Sequence, residues 1–110
     1  MDDRQYQQIA DVTLRDLETM FADVDAEDVD CERAGDVITL TFKTGKKAVV
    51  NTQRPTRQIW LAANARAWHF DWEPSSKTWI DDKGQGLELF AQLSAIVKET
   101  SGLAVPIPVP

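Results

Sequence analysis

One cysteine, one histidine and one tyrosine in 110 residues leave little of the side-chain chemistry that most enzymes use. Cys31 alone cannot close an intramolecular disulfide, nor supply the thiolate set that zinc or iron-sulfur clusters take. The four serines, Ser75, Ser76, Ser94 and Ser101, include none in a nucleophile elbow, and Gly84-Gln85-Gly86 has too few glycines to cradle a phosphate. No catalytic residue set is expected. No apolar run approaches the roughly 20 residues of a membrane span. The start, Met1-Asp2-Asp3, lacks the basic-then-apolar pattern of a signal peptide, which predicts a cytoplasmic protein or one already processed. Basic residues are outnumbered 12 to 18, and the net charge of −6 argues against nucleic acid even though Lys43, Lys46, Lys47, Arg54 and Arg57 cluster in the middle of the chain.

What is present is unevenly spread. Twelve of the eighteen acids fall within Asp2–Asp36 against three arginines, a local charge of −9, while the remainder carries +3. Such a concentrated field attracts cations or a basic protein surface. The apolar content of 43% suits one core. Tyr6, Ile9, Ala10, Thr13, Leu17, Met20, Phe21 and Val24 recur at three- and four-residue steps and predict a helix over about residues 3–23. Period-two alternation then predicts strands over Asp28–Glu32, Val37–Phe42, Lys46–Thr52, Gln58–Ala63, Trp68–Trp72 and Thr78–Ile80, joined by short turns that favour antiparallel neighbours. Leu87, Phe90, Leu93, Ile96 and Val97 describe a second helix ending near Ser101-Gly102. One helix, a run of strands and one helix make an α+β two-layer sandwich, both helices on one face of an antiparallel sheet of about six strands. The domain spans residues 1–102. Residues 103–110, apolar but proline-spaced, form an extended tail for which the groove between the helices is the nearest resting place.

Asp28, Asp30 and Glu32 alternate with Val29 and Cys31, so the strand pattern places the three carboxylates on one face, with Asp25 and Glu27 extending the cluster. On the first helix Asp11, Glu18 and Asp25 follow one flank, with Arg15 beside them, and Asp16 and Asp23 the other. All-oxygen, exposed ligands suit hard ions such as iron, Mg²⁺, Ca²⁺ or Mn²⁺, bound weakly; a solvated face that only aids solubility is the plainer reading. Trp60 lies between Ile59 and Leu61. If those two enter the core, alternation sends Trp60, Asn51 and Gln53 to the uncovered face, where an exposed indole would be a binding anchor. His69 falls on the same wet side, whereas Trp68, Phe70, Trp72 and Trp79 read as core or core edge.

The stretch Asn51-Thr52-Gln53-Arg54-Pro55-Thr56-Arg57-Gln58-Ile59-Trp60-Leu61-Ala62 resembles the N-x-Q-x-P-x-x-[EQ]-[IV]-W-[LIV]-[AS] pattern of the bacterial frataxin family, the CyaY proteins. Asp30-Cys31-Glu32, Thr41-Phe42-Lys43-Thr44-Gly45, His69-Phe70-Asp71 and Trp79 with Asp82-Lys83-Gly84 and Leu87 are similar to family landmarks in the same order. The resemblance implies an iron-binding regulator of iron-sulfur cluster assembly that contacts the cysteine desulfurase and, through it, the scaffold protein, and that delivers or senses iron. It implies a mainly monomeric protein that metal can drive into oligomers. Carried onto this chain, an acidic ridge of Asp11, Glu18, Asp23, Asp25, Glu27, Asp28, Asp30 and Glu32 would hold iron, and Asn51, Gln53 and Trp60 would meet the partner. The chain departs from the pattern at Gln7, Thr19 and Ala22, which thins the helix half of the ridge, and at Arg66-Ala67, which replace a glycine pair. Two alternatives stand beside this reading: an acidic interaction module with incidental metal, and a ferroxidase.

Overall fold

The computed structural model describes residues 1–108; Val109 and Pro110, the end of the expected tail, lie outside the described residues. Its elements run α1 (Asp3–Met20), β1 (Val29–Ala34), β2 (Val37–Phe42), β3 (Lys47–Gln53), β4 (Gln58–Ala63), β5 (Arg66–Glu73), β6 (Thr78–Asp81) and α2 (Leu89–Ser101). The six strands form one sheet in chain order, every neighbour antiparallel. Among the described residues no helix is long and apolar enough to cross a membrane.

The helix begins on a capping box: the Asp2 carboxylate accepts the Gln5 N–H at 2.8 Å while the Gln5 side chain accepts the Asp2 N–H at 3.0 Å. It stops at Met20, three residues before the sequence pattern does. Its last turn contains no basic residue to complement the negative end of the helix dipole. Phe21 nevertheless stays buried, so the apolar stripe continues through the turns after the helix has ended.

Both helices cover the same face of the sheet. Tyr6, Ala10, Leu14 and Leu17 of α1 and Leu89, Leu93, Ile96 and Val97 of α2 are fully buried. Against them pack Ile38, Leu40, Ala48, Val50, Ile59, Leu61, Phe70 and Trp79, the inward set of the two-residue period. The Trp79 indole donates to Thr13 Oγ1 at 2.8 Å, and Trp72 meets its ring edge at 5.2 Å. Asn64 and Ala65 link β4 to β5 with φ of 52° and 61°, the two positive values of a type I′ hairpin. Arg66 and Ala67 are therefore strand residues, and the turn does without glycine. After α2 the chain runs extended: Val105 is buried, its carbonyl accepts from Ser94 Oγ at 3.1 Å, and Ile107 and Pro108 border α1 beside Ile9 and Val12.

Candidate functional site

Two surfaces carry the residues singled out in the sequence. The first is the acidic edge formed by α1, the loop after it and β1, the first strand of the sheet. In β1 the inward phase set by Val29 continues through Cys31 to Arg33, so Arg33 points toward α1. Its guanidinium lies 2.7 Å from Asp11 Oδ1 and 3.0 Å from Glu18 Oε1, and its Nε donates to the Gly35 carbonyl at 3.0 Å. Arg15 adds a looser contact to Asp11 at 3.6 Å. Hydrogen bonding from Arg33 holds the Asp11 carboxyl below its ordinary value, and the same pair raises the guanidinium. Asp11 and Glu18 are thus already partnered by a cation of the chain itself.

The other acids divide into two groups. Asp23, Asp25 and Asp28 line a groove of about 540 Å³ together with Met20, Val24 and residues 103–108. Asp25 Oδ1 accepts the Glu27 N–H at 2.9 Å, which shapes the loop. Asp28 precedes the strand, and β1 begins at Val29. Asp30 and Glu32 alternate onto the open face, opposite Thr41 and Thr39. The expected single row of Asp28, Asp30 and Glu32 is therefore broken, because the backbone turns at residues 25–28 and the period of two starts only afterwards. Among the described residues no group of three or more acidic, histidine or cysteine side chains is arranged to hold a metal ion. The donors are oxygens of exposed and half-buried surface carboxylates, a chemistry that would suit a weakly held hard cation. Burial, with Glu18 and Asp30 adding to it, pushes the Cys31 thiol up to about 11, so it stays protonated at neutral pH and offers no thiolate.

The second surface is the sheet face the helices leave open. Val37, Asn51, Trp60 and His69 are register partners across β2 to β5, and the Asp82 N–H continues the row by donating to the His69 carbonyl at 2.9 Å. Trp60 is half-buried rather than free. Its ring stacks on His69 at 4.2 Å and 16°, and its Nε1 donates to Gln58 Oε1 at 2.9 Å. Gln58 Nε2 in turn donates to Asp71 Oδ1 at 3.1 Å and to Asp82 Oδ2 at 3.0 Å. His69 Nδ1 lies 3.8 Å from the same Asp82 oxygen. Asn51 and Gln53 stand beside this cluster, Gln53 opposite Gln58.

Sequence reasoning reached Trp60 and missed what fixes it. The period of two places Gln58, His69 and Asp71 on the Trp60 face, but it does not say which hydrogen bonds form among them. Asp81 was missed too. Its buried carboxylate accepts N–H groups from Leu87 at 2.7 Å and from Lys83 and Gln85 at 3.1 Å, closing the loop that begins at Asp82. Burial raises this carboxyl, yet the amides of Gln85, Leu87 and Lys83 together outweigh burial and hold it below its ordinary value.

The six-stranded meander under two helices recurs in solved structures. A frataxin from Psychromonas ingrahamii superposes with a TM-score of 0.89 at 31% identity, over 99% of this chain and all of that one. A trimeric yeast frataxin, solved in complex with ferrous iron, shares the fold with a TM-score of 0.67 at 24% identity, over 94% of this chain and 88% of that one. By sequence, the chain is 37% identical over 109 residues to the iron-sulfur cluster assembly protein CyaY of Delftia acidovorans, covering 96% of each. The frataxin-like domain profile matches residues 1–103, and with the whole sheet and both helices inside that match, the chain belongs to the frataxin-like family.

Proposed function

We propose that this protein is a non-enzymatic accessory of iron-sulfur cluster assembly in the bacterial cytoplasm, which takes up iron weakly at its acidic edge and docks on the cysteine desulfurase and scaffold. The relatives named for cluster assembly support the process. The observation that carries the docking part is the uncovered sheet face: Asp30 and Glu32 sit on it at β1, and Trp60, Asn51 and Gln53 sit on it at β3 and β4. Three strand spacings separate β1 from β4, roughly 14 Å. One partner surface can therefore cover acids and indole together, meeting a basic patch at one end and an aromatic anchor at the other. Iron would be held by Asp23, Asp25, Glu27 and Asp28 with Asp30 and Glu32, since Arg33 occupies Asp11 and Glu18.

The test is a desulfurase titration of the parent and of a variant with Asp25, Glu27 and Asp30 changed to Lys, each at about 50 and 300 mM salt. Binding of the parent weakens with salt and the variant does not bind. Parent affinity that is the same at both salt concentrations, or a variant that binds like the parent, removes the acidic edge from the interface.

A further inference from the structure

We propose that Gln58 is the positioning residue of the sheet-face anchor: it holds the Trp60 indole in its docking orientation before the partner arrives. The proposal rests on the reading that the sheet face is where the partner docks, and deepens it. A glutamine amide has one carbonyl acceptor and two N–H donors. Here the carbonyl takes the indole N–H at 2.9 Å, and the NH₂ group spans Asp71 at 3.1 Å and Asp82 at 3.0 Å. The two carboxylates accept only, so a flipped amide would set its oxygen against both negative charges and its NH₂ against the indole N–H. Charge therefore fixes which end of the amide faces Trp60.

The main chain of Gln58 is fixed as well. From the helix side the Tyr6 hydroxyl donates to its carbonyl at 2.7 Å and accepts the N–H of its register partner Gln53 at 3.0 Å. With its ring face on His69 and its edge tied to Gln58, the indole has lost its rotamer freedom in the free protein. A partner that meets it need not freeze it, and holding one such side chain ready is worth about fivefold in affinity.

The full-length chain, labelled with ¹⁵N, tests this. The Trp60 indole resonance is identified by its loss in Trp60→Ala, and each variant is titrated with the desulfurase–scaffold complex. Gln58→Met, which keeps the length and loses the amide, leaves the thermal midpoint within a few degrees. It shifts the Trp60 indole resonance, speeds exchange of its N–H with water about tenfold, and weakens the complex about fivefold. The double variant Gln58→Met/Trp60→Ala then binds no worse than Trp60→Ala alone. An indole resonance and exchange rate unchanged by Gln58→Met overturn the proposal. So do additive losses in the double variant, which would make Gln58 a direct contact, or a fall of ten degrees or more in the midpoint, which would make it a fold residue. If Trp60→Ala itself binds like the parent, the docking reading of the sheet face fails, and the exchange rate still reports what Gln58 does to the indole.

Discussion

Tyr6→Phe removes a single oxygen from the centre of the molecule. The ring, fully buried and edge-on to Trp79 at 6.2 Å, keeps its packing, so no cavity opens. Two hydrogen bonds go: the one donated to the Gln58 carbonyl at 2.7 Å and the one accepted from the Gln53 N–H at 3.0 Å. Each is worth about 1 kcal/mol net, and a partner left dry costs more. Gln53 and Gln58 are half-buried, so water rescues them in part, and the expected loss is about 2 kcal/mol. For a chain of this length that lowers the thermal midpoint by about 8 °C. The hydroxyl also leaves an alkaline signature. Burial, with Asp36 adding to it, raises the Tyr6 phenol above 10.0 against opposing hydrogen bonds. The stability it contributes is present below the unfolded value of 10.0 and is lost as pH rises through the higher folded one. Cys31, lifted from 9.0 to about 11 by burial, acts in the same sense, so the comparison is made in a Cys31→Ala background. Urea unfolding at pH 7 and near pH 11 measures both effects. With and without the Tyr6→Phe change, the two proteins should differ by about 2 kcal/mol at pH 7, and the gap should narrow at high pH. A gap under about 0.5 kcal/mol at pH 7, or one that does not change with pH, refutes the argument.

Leu61→Ala, at a fully buried position, should cost about 2 to 5 kcal/mol in equilibrium unfolding, against about 1 to 2 for Trp60→Ala, which forfeits its stack on His69 and part of its burial. Equal losses would place Trp60 in the core. Asp81→Asn should lower the thermal midpoint at pH 7, because the lowered carboxyl contributes stability above its unfolded value of 3.8. That contribution is lost as pH falls through the folded value, so melts at pH 7, 4 and 3 should show the difference from the parent closing. A difference that does not shrink at all as pH falls below 3.8 to the acid limit of the fold would mean that charge is not what the Lys83, Gln85 and Leu87 amides require.

The layers were legible because burial imposes simple periods. Ile59 and Leu61 alternate with Trp60, and Ile38, Leu40 and Phe42 with their neighbours, so the inward face could be read from four or five letters at a time. Period alone did not show where α1 ends, since Phe21 remains buried in turns that keep the stripe without the helix. Contacts between elements were the harder part. Arg33 shares the phase of Val29 and Cys31, which aims it at the helices, but its choice of Asp11 and Glu18 depends on how α1 lies along β1. Sequence reasoning therefore counted those two acids as free ligands. Gln58 shares a face with Trp60 and Asp71 by period, but its hydrogen bonds to them and to Asp82, like those of Asp81 to the amides of the following loop, depend on side-chain geometry that neither charge nor period encodes.

On this reading the open sheet face docks on the assembly machinery through Trp60 at β4, while iron is taken up by the carboxylates of the loop before β1 and of β1 itself, at the far edge of the sheet. Cluster formation by the desulfurase and scaffold, followed at equal concentrations of parent and Trp60→Ala protein, with an iron titration of each, tests it most directly. The variant should lose its effect on the rate of cluster formation and keep the iron isotherm of the parent. A folded variant that changes the rate as the parent does contradicts it.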